Sequence, residues 1–223
     1  MSKLIQLNNR IIKCNKCPRL VAFRKKISKE KRKQYMHETY WGKPITGFGD
    51  PKGKILLVGL APAAHGGTRT GRVFTGDRSA DFLYKCLYKA KLSNQPTSTY
   101  KNDGLKLYNT YVTAALKCVP PQDKPTPDEL KTCFKYFRKE IDLLKNTKII
   151  ISLGKIAFDT CFKLYKENYS LKMSDYKFSH GAIYKLPDNR FLVGCYHPSP
   201  RNVNTKRINI NKMVKLFNNI LKL

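Results

Sequence analysis

The chain of 223 residues carries 44 Lys+Arg against 15 Asp+Glu, a formal net charge of +29, and 41% of it is hydrophobic. That leaves room for a sizeable buried core, while no apolar run approaches the roughly 20 residues that a membrane span needs. The positive excess points to a polyanionic partner, nucleic acid rather than an anionic membrane surface, because neither end reads as a basic amphipathic helix with an aromatic-rich face.

In chain order, the N-terminus "MSKLIQLNNRIIKC" has no signal-peptide core or cleavage site, so a soluble, cytoplasmic protein is expected. Residues 1–34 hold twelve basic side chains and one acid, Glu30, and include a close thiol pair, Cys14 and Cys17. Residues 24–53 read as a charged connection. A buried strand follows at 54–60, then the glycine-rich loop "GLAPAAHGGTRTGRVFTGDRS" and a helix over 77–92 with Phe82, Leu83, Cys86, Leu87 and Ala90 at helical spacing. The segment 105–117 is rich in β-branched and aromatic residues and reads as extended. Thr126 as N-cap, Pro127 at the first helical position and acids in the first turn predict a helix over 126–144. A second buried strand (147–154), a helix (155–165), a polar excursion or β-hairpin (166–189), a strand (190–196) and a closing amphipathic helix (203–223) complete the chain. No acid follows Asp188, whereas seven basic residues do.

Strands alternating with helices predict one three-layer α/β/α domain over 1–223, with 1–53 as an N-terminal arm. Ligands of such sheets sit beyond the carboxyl ends of the strands. The loops after Gly59, Lys117, Leu153 and Tyr196 are therefore the ones that should carry chemistry.

The odd count of seven cysteines in a chain without a secretory signal argues against a disulfide framework. Cys14 and Cys17 with Cys118, at a strand exit marked by Lys117, Pro120 and Pro121, and Cys133, early in a helix, make a four-thiolate set for zinc or a 4Fe–4S cluster. The competing reading makes Cys118 and Cys133 core residues. Cys86, Cys161 and Cys195 fall on apolar faces and read as core.

In the last loop, "YHPSPRN", two prolines stiffen a segment that starts with His197 and ends with Arg201 and Asn202. His197 is placed to donate a hydrogen bond to a bound ligand, and Arg201 to wedge into a duplex. In the first loop, Phe74 is either a plug beneath the loop or a stacking surface. Asp77 is either a helix cap or a carboxylate that orients water and favours a developing cation. His65 reads as solvent-facing, and His37 and His180 as surface residues.

"CNKC", the Gly59 loop, "TAALKCVPPQDKPTPDEL", "IISLGKIA" and "YHPSPRN" occur in the order they take in the iron–sulfur uracil-DNA glycosylases, and the sequence most closely resembles their family 5 branch, from Cys14 to Asn202. The resemblance implies a 4Fe–4S cluster on Cys14, Cys17, Cys118 and Cys133, and a central four-stranded parallel sheet. It implies a pocket for a flipped-out base, walled by Gly59, Leu60 and Ala61, with Phe74 stacking on the base and His197 bonding its carbonyl. Asp77 would position water, and Arg201 and Asn202 would contact DNA. Leu60 stands where the sister family 4 carries an acid, and Ala114 where it carries an asparagine. Both leave few base-reading groups, so deaminated bases besides uracil are expected substrates. Asp123 replaces an asparagine often found near that position.

The implied activity is monofunctional hydrolysis of uracil from double- or single-stranded DNA by a monomer. No Schiff base is expected, because neither pocket motif contains a lysine. Two other readings are a non-catalytic iron–sulfur nucleic-acid-binding module and a zinc-bound RNA-associated protein.

Overall fold

The computed structural model describes residues 2–223. Helix α1 (Lys3–Ile12) starts where the Ser2 side chain accepts the Ile5 N–H, and α2 (Pro18–Glu30) starts on Pro18. A two-residue strand, β1 (Phe48–Gly49), precedes β2 (Ile55–Gly59), the short helix α3 (Gly67–Thr70) and α4 (Arg78–Lys89). Then come β3 (Thr110–Ala114), α5 (Pro127–Leu143), β4 (Ile149–Leu153), α6 (Lys155–Lys166), β5 (Ile183–Lys185), β6 (Phe191–Cys195), α7 (Pro200–Asn204) and α8 (Ile210–Ile220). Thr126 closes a full capping box with Glu129 at the start of α5.

The strands form one sheet in the order β1-β3-β2-β4-β6-β5. The inner strands pair in parallel, with Leu57 opposite Val112 and Ile151, and Ile151 opposite Val193. The short edge strands β1 and β5 pair antiparallel. The four inner strands are the expected central parallel set, and the two edge strands, which lie outside that expectation, extend it to a six-stranded mixed sheet. The edge strands are two and three residues long, too short to show a period in sequence.

Alternation along the strands divides the core into two layers. Ile55, Leu57, Ile151 and Val193 face Leu83 and Leu87 of α4 and Phe217 and Ile220 of α8. Leu56, Val58, Ile150 and Leu192 face Phe137 of α5 and Phe158 and Phe162 of α6. Cys86, Cys161 and Cys195 are fully buried in these layers.

Three other expectations change. Residues 24–53 are not merely a connection: α2 extends to Glu30, and β1 joins the sheet. The closing helix is two helices, interrupted where Lys206 takes a left-handed φ of 56° and Asn209 caps α8. The extended run 105–117 contracts to the five residues of β3, because Asn109 turns the chain with φ 51° just before it. The segment 166–189 ends in the hairpin of β5 and β6, the second of the two forms it suggested. Among the described residues, no helix is long and apolar enough to cross a membrane.

Candidate active site

At the carboxyl edge of the sheet, β2 delivers the Gly59 loop and β6 delivers the His197 loop. Between them lies a cleft of about 390 Å3, lined by Leu60, Ala61, Phe74, Asp77, Asp123 and His197, with Ala63, Ser79, Ser199 and Pro200 completing its wall. Six of the expected site residues thus meet in one cavity.

Gly59 lies directly beneath. A Cβ there would sit 2.6 Å from Phe74 Cε2, so only glycine lets this ring lie across the strand end. Phe74 has a φ of 45°, a strained conformation for a bulky residue, which the surroundings must impose. The Ser98 hydroxyl donates to its carbonyl at 3.1 Å. Arg72, buried at 4% exposure, donates to Thr75 Oγ1, Ser98 Oγ, the Lys101 carbonyl and Asp103 Oδ2 at 2.7–3.0 Å. Arg69 is buried as well. It stacks on Tyr35, pairs with Glu38 and donates to the carbonyls of His65 and Gly76. Sequence reasoning missed both arginines. Their acidic partners lie about thirty positions away, so no local spacing announces them.

The structure shows Asp77 as a helix cap through one oxygen and leaves its other oxygen without a donor among the described residues. Oδ1 accepts the Ser79 and Ala80 N–H groups at 2.9 and 3.0 Å and caps α4. Oδ2 receives no hydrogen bond among the described residues and lies over Gly66, where a Cβ would come within 2.0 Å of it. Burial pushes the Asp77 carboxyl above its usual range against the opposing pull of the two amides.

The His197 ring lies 6.0 Å from that of Phe74, centroid to centroid, tilted by 34°. Burial lowers its pKa to about 4, so it is neutral at pH 7 and carries a single N–H. Neither ring nitrogen has a hydrogen-bond partner among the described residues. Asn202 Nδ2 donates to the His197 carbonyl at 2.9 Å, so Asn202 holds the loop. Arg201 is exposed in α7 and is not among the lining residues. Asp123 sits at the rim on a turn where it and Gln122 both have positive φ.

Two histidines are placed differently from their sequence reading. His65 does not simply face solvent: its Nδ1 lies 3.0 Å from the Tyr40 hydroxyl, joining the loop to the arm. His180 is not a bare surface residue: its Nδ1 accepts the Tyr196 N–H at 3.3 Å, beside the His197 loop.

Cys14, Cys17, Cys118 and Cys133 line one small cavity with Leu20, Pro44, Leu116 and Tyr136. The Lys117 N–H donates to Cys133 Sγ at 3.3 Å. Lys117 itself does not mark an exit to solvent. It is buried and bonds Glu140 Oε2 at 2.6 Å, linking the end of β3 to α5. Burial pushes the thiols of Cys118 and Cys133 up, to about 12 and about 11. Among the described residues, no group of three or more His, Cys, Asp or Glu is grouped as ligands of one metal ion.

A cleft beyond the carboxyl ends of a parallel sheet core, with an aromatic ring, a neutral imidazole and a partly free carboxylate, has the size and chemistry of a site for a planar, ring-sized ligand. The family model of the Uracil DNA glycosylase superfamily matches residues 46–222. The chain is 46% identical over 195 residues to a Type-5 uracil-DNA glycosylase of Thermus thermophilus, covering 87% of this chain and 86% of that one. It is 38% identical over 209 residues to one of Pyrobaculum aerophilum, covering 94% and 88% of the two chains. With one of Mycobacterium leprae it shares 39% identity over 219 residues, covering 98% and 94%. The chain belongs to the Uracil DNA glycosylase superfamily.

Proposed function

We propose that this protein hydrolyses the N-glycosidic bond of uracil in DNA, releasing the free base and leaving an abasic site for repair. The observation that carries the reading is that Phe74, Asp77 and His197 wall one cleft in a chain whose relatives bear the name Type-5 uracil-DNA glycosylase. The flipped base stacks on Phe74. As the C1′–N bond breaks, its electron pair leaves with the base, and the sugar gains positive charge. The His197 N–H stabilises the uracil anion by donating a hydrogen bond. A neutral imidazole does this without giving up its proton. Asp77 Oδ2 orients the water that adds to C1′ and favours the cationic sugar, while Oδ1 stays fixed by α4, and the proton that the water loses neutralises the released uracil anion. The cleft contains no lysine, in keeping with hydrolysis rather than a Schiff base. Leu60 and Ala114 bring no hydrogen-bonding side chains, so other deaminated bases are substrates too. Arg201 fills the gap left in the stack, and Asp123 edges the base. A DNA substrate puts the protein's work inside the cell.

The four thiols in a cavity with apolar walls, one of them accepting a backbone N–H, form a donor set that suits a 4Fe–4S cluster. Cys14 and Cys17 from the arm and Cys118 and Cys133 from β3 and α5 would hold it, and it would cross-link the arm to the sheet.

The test is a single-turnover assay on uracil-containing duplex, with alkali to reveal abasic sites. Wild type should cleave, and Asp77→Asn should be about 10²-fold slower or worse, the scale of a positioned acid–base group. Tight binding of uracil DNA without any cleavage by wild type would instead support the non-catalytic module.

A further inference from the structure

A groove of about 970 Å3 runs between α1, α5 and α6 and shares no lining residue with the cleft. Its rim carries Lys3, Arg10, Lys131, Lys135, Lys139 and Lys145, all exposed, and none forms an ion pair among the described residues. Glu167, one of its two acids, already pairs with Arg138 and Lys163, leaving Asp142 as the other. Lys131, Lys135 and Lys139 recur every four residues along α5. Like charges at that spacing repel and weaken a helix, so folding alone does not account for them.

The direction of α5 separates this groove from the cleft. The helix begins after the Asp123 turn at the carboxyl edge and runs back to the start of β4, where Asn146 Nδ2 reaches the Lys52 carbonyl. DNA lying across the carboxyl edge would leave the groove open.

We propose that this groove is a second DNA site, which holds a further segment by its phosphates without reading its bases. The inference rests on the reading of the chain as a DNA enzyme. Lysine is depleted at protein interfaces, whereas it suits a polyphosphate, which needs point charges. The apolar floor offers no anchor pocket: Leu7 and Phe134 are buried, and Lys163 and Arg138 stand 4.9 and 5.1 Å from the Phe134 ring centre. The rise from Lys131 to Lys139 is about 12 Å, some three to four phosphate steps of about 3.4 Å. With both sites filled, one molecule bridges two DNA segments and can pass between them.

The test uses the full chain with its cluster intact and the triple variant Lys131→Gln, Lys135→Gln, Lys139→Gln. For a long uracil-free duplex, the slope of log affinity against log salt should be shallower in the variant by about 2.7, at about 0.9 for each phosphate that is no longer neutralised. Single-turnover excision from a duplex just long enough to fill the cleft should be unchanged. Wild type held on an immobilised duplex should capture a second labelled duplex, and the variant should not. An unchanged slope overturns the proposal. So does an equal loss of short-duplex excision, which would assign the lysines to the cleft. So does capture of polyglutamate in preference to duplex, which would make the groove a protein-docking site. Failure of wild type to excise at all would count against the enzymatic reading instead, and the slope would still report on the groove.

Discussion

Asp77 and His197 have opposite electrostatic settings, and each implies a distinct pH response. Burial raises the Asp77 carboxyl above its ordinary value, so the folded state binds that proton more tightly than the unfolded chain does. This favours the fold at low pH and is lost as pH rises through the raised value. Asparagine keeps the cap, since its Oδ1 can still accept the Ser79 and Ala80 amides. Asp77→Asn should therefore melt higher than wild type at pH 7.5, and the gap should close towards pH 4. The same variant should lose about 10²-fold or more in single-turnover rate at pH 7.5. A variant that gains in melting temperature and keeps wild-type rate would make Asp77 a cap only. His197 is shifted the other way, down to about 4. Its stabilising effect is present above pH 6.5 and fades as pH falls from there towards 4. It should leave no inflection near 6.5 in the rate profile. His197→Ala should slow uracil release by about 10²–10³-fold, the usual effect of losing one donor to a developing anion. The loss should shrink on a uracil analogue that is a better leaving group.

Among the elements, the arm shows where sequence reading succeeds and where it stops. Three of the inner strands were legible as short, mostly apolar runs, and β3 by its β-branched and aromatic residues, because all four are buried on both faces. The cleft residues were legible because two loops after strands, one glycine-rich and one stiffened by prolines, carry most of them. The helical character of 18–30 was not, since Leu20 and the buried Arg24 carry its inward face and charged residues fill most of the rest. Arg24 reaches the Gly42 carbonyl and Asn15 Oδ1 at 2.6 Å, contacts between distant turns that no period encodes. The supports of Phe74 were equally hidden, because Arg72 looks in sequence like one more basic surface residue. Its burial predicts that Arg72→Met, by unpairing Asp103 and freeing Thr75 and Ser98, destabilises the protein by about 3–5 kcal/mol in chemical denaturation. The cysteine cavity makes a sharper demand on the arm. Cys118→Ser should bleach the brown iron–sulfur absorbance near ~400 nm and loosen the arm to proteolysis. Cys86→Ser, in the α4 face of the core, should leave the colour intact. Zinc without iron in anaerobically purified protein would overturn the cluster assignment.

At the scale of the whole molecule, a net charge of +29 acts on folding and on DNA binding with opposite signs. Nine ion pairs form among the described residues, and several are exposed i,i+4 contacts that add little. Most of the positive charge is therefore unpaired at the surface and repels itself within the native state. Raising the salt from 0.01 M to 0.15 M shortens the screening length from about 30 Å to about 8 Å, well below the molecular span, so this repulsion is largely removed. The free protein should melt higher across that interval. DNA binding should respond the other way, because each neutralised phosphate releases condensed counterions and salt opposes that release. The protein saturated with uncleavable DNA should then gain melting temperature most at low salt and progressively less as salt rises, since ligand stabilisation follows affinity. Two thermal titrations against sodium chloride, one of free protein and one of the complex, should converge from opposite directions. Parallel curves would mean that the surplus charge is neutralised within the fold and is not what holds DNA.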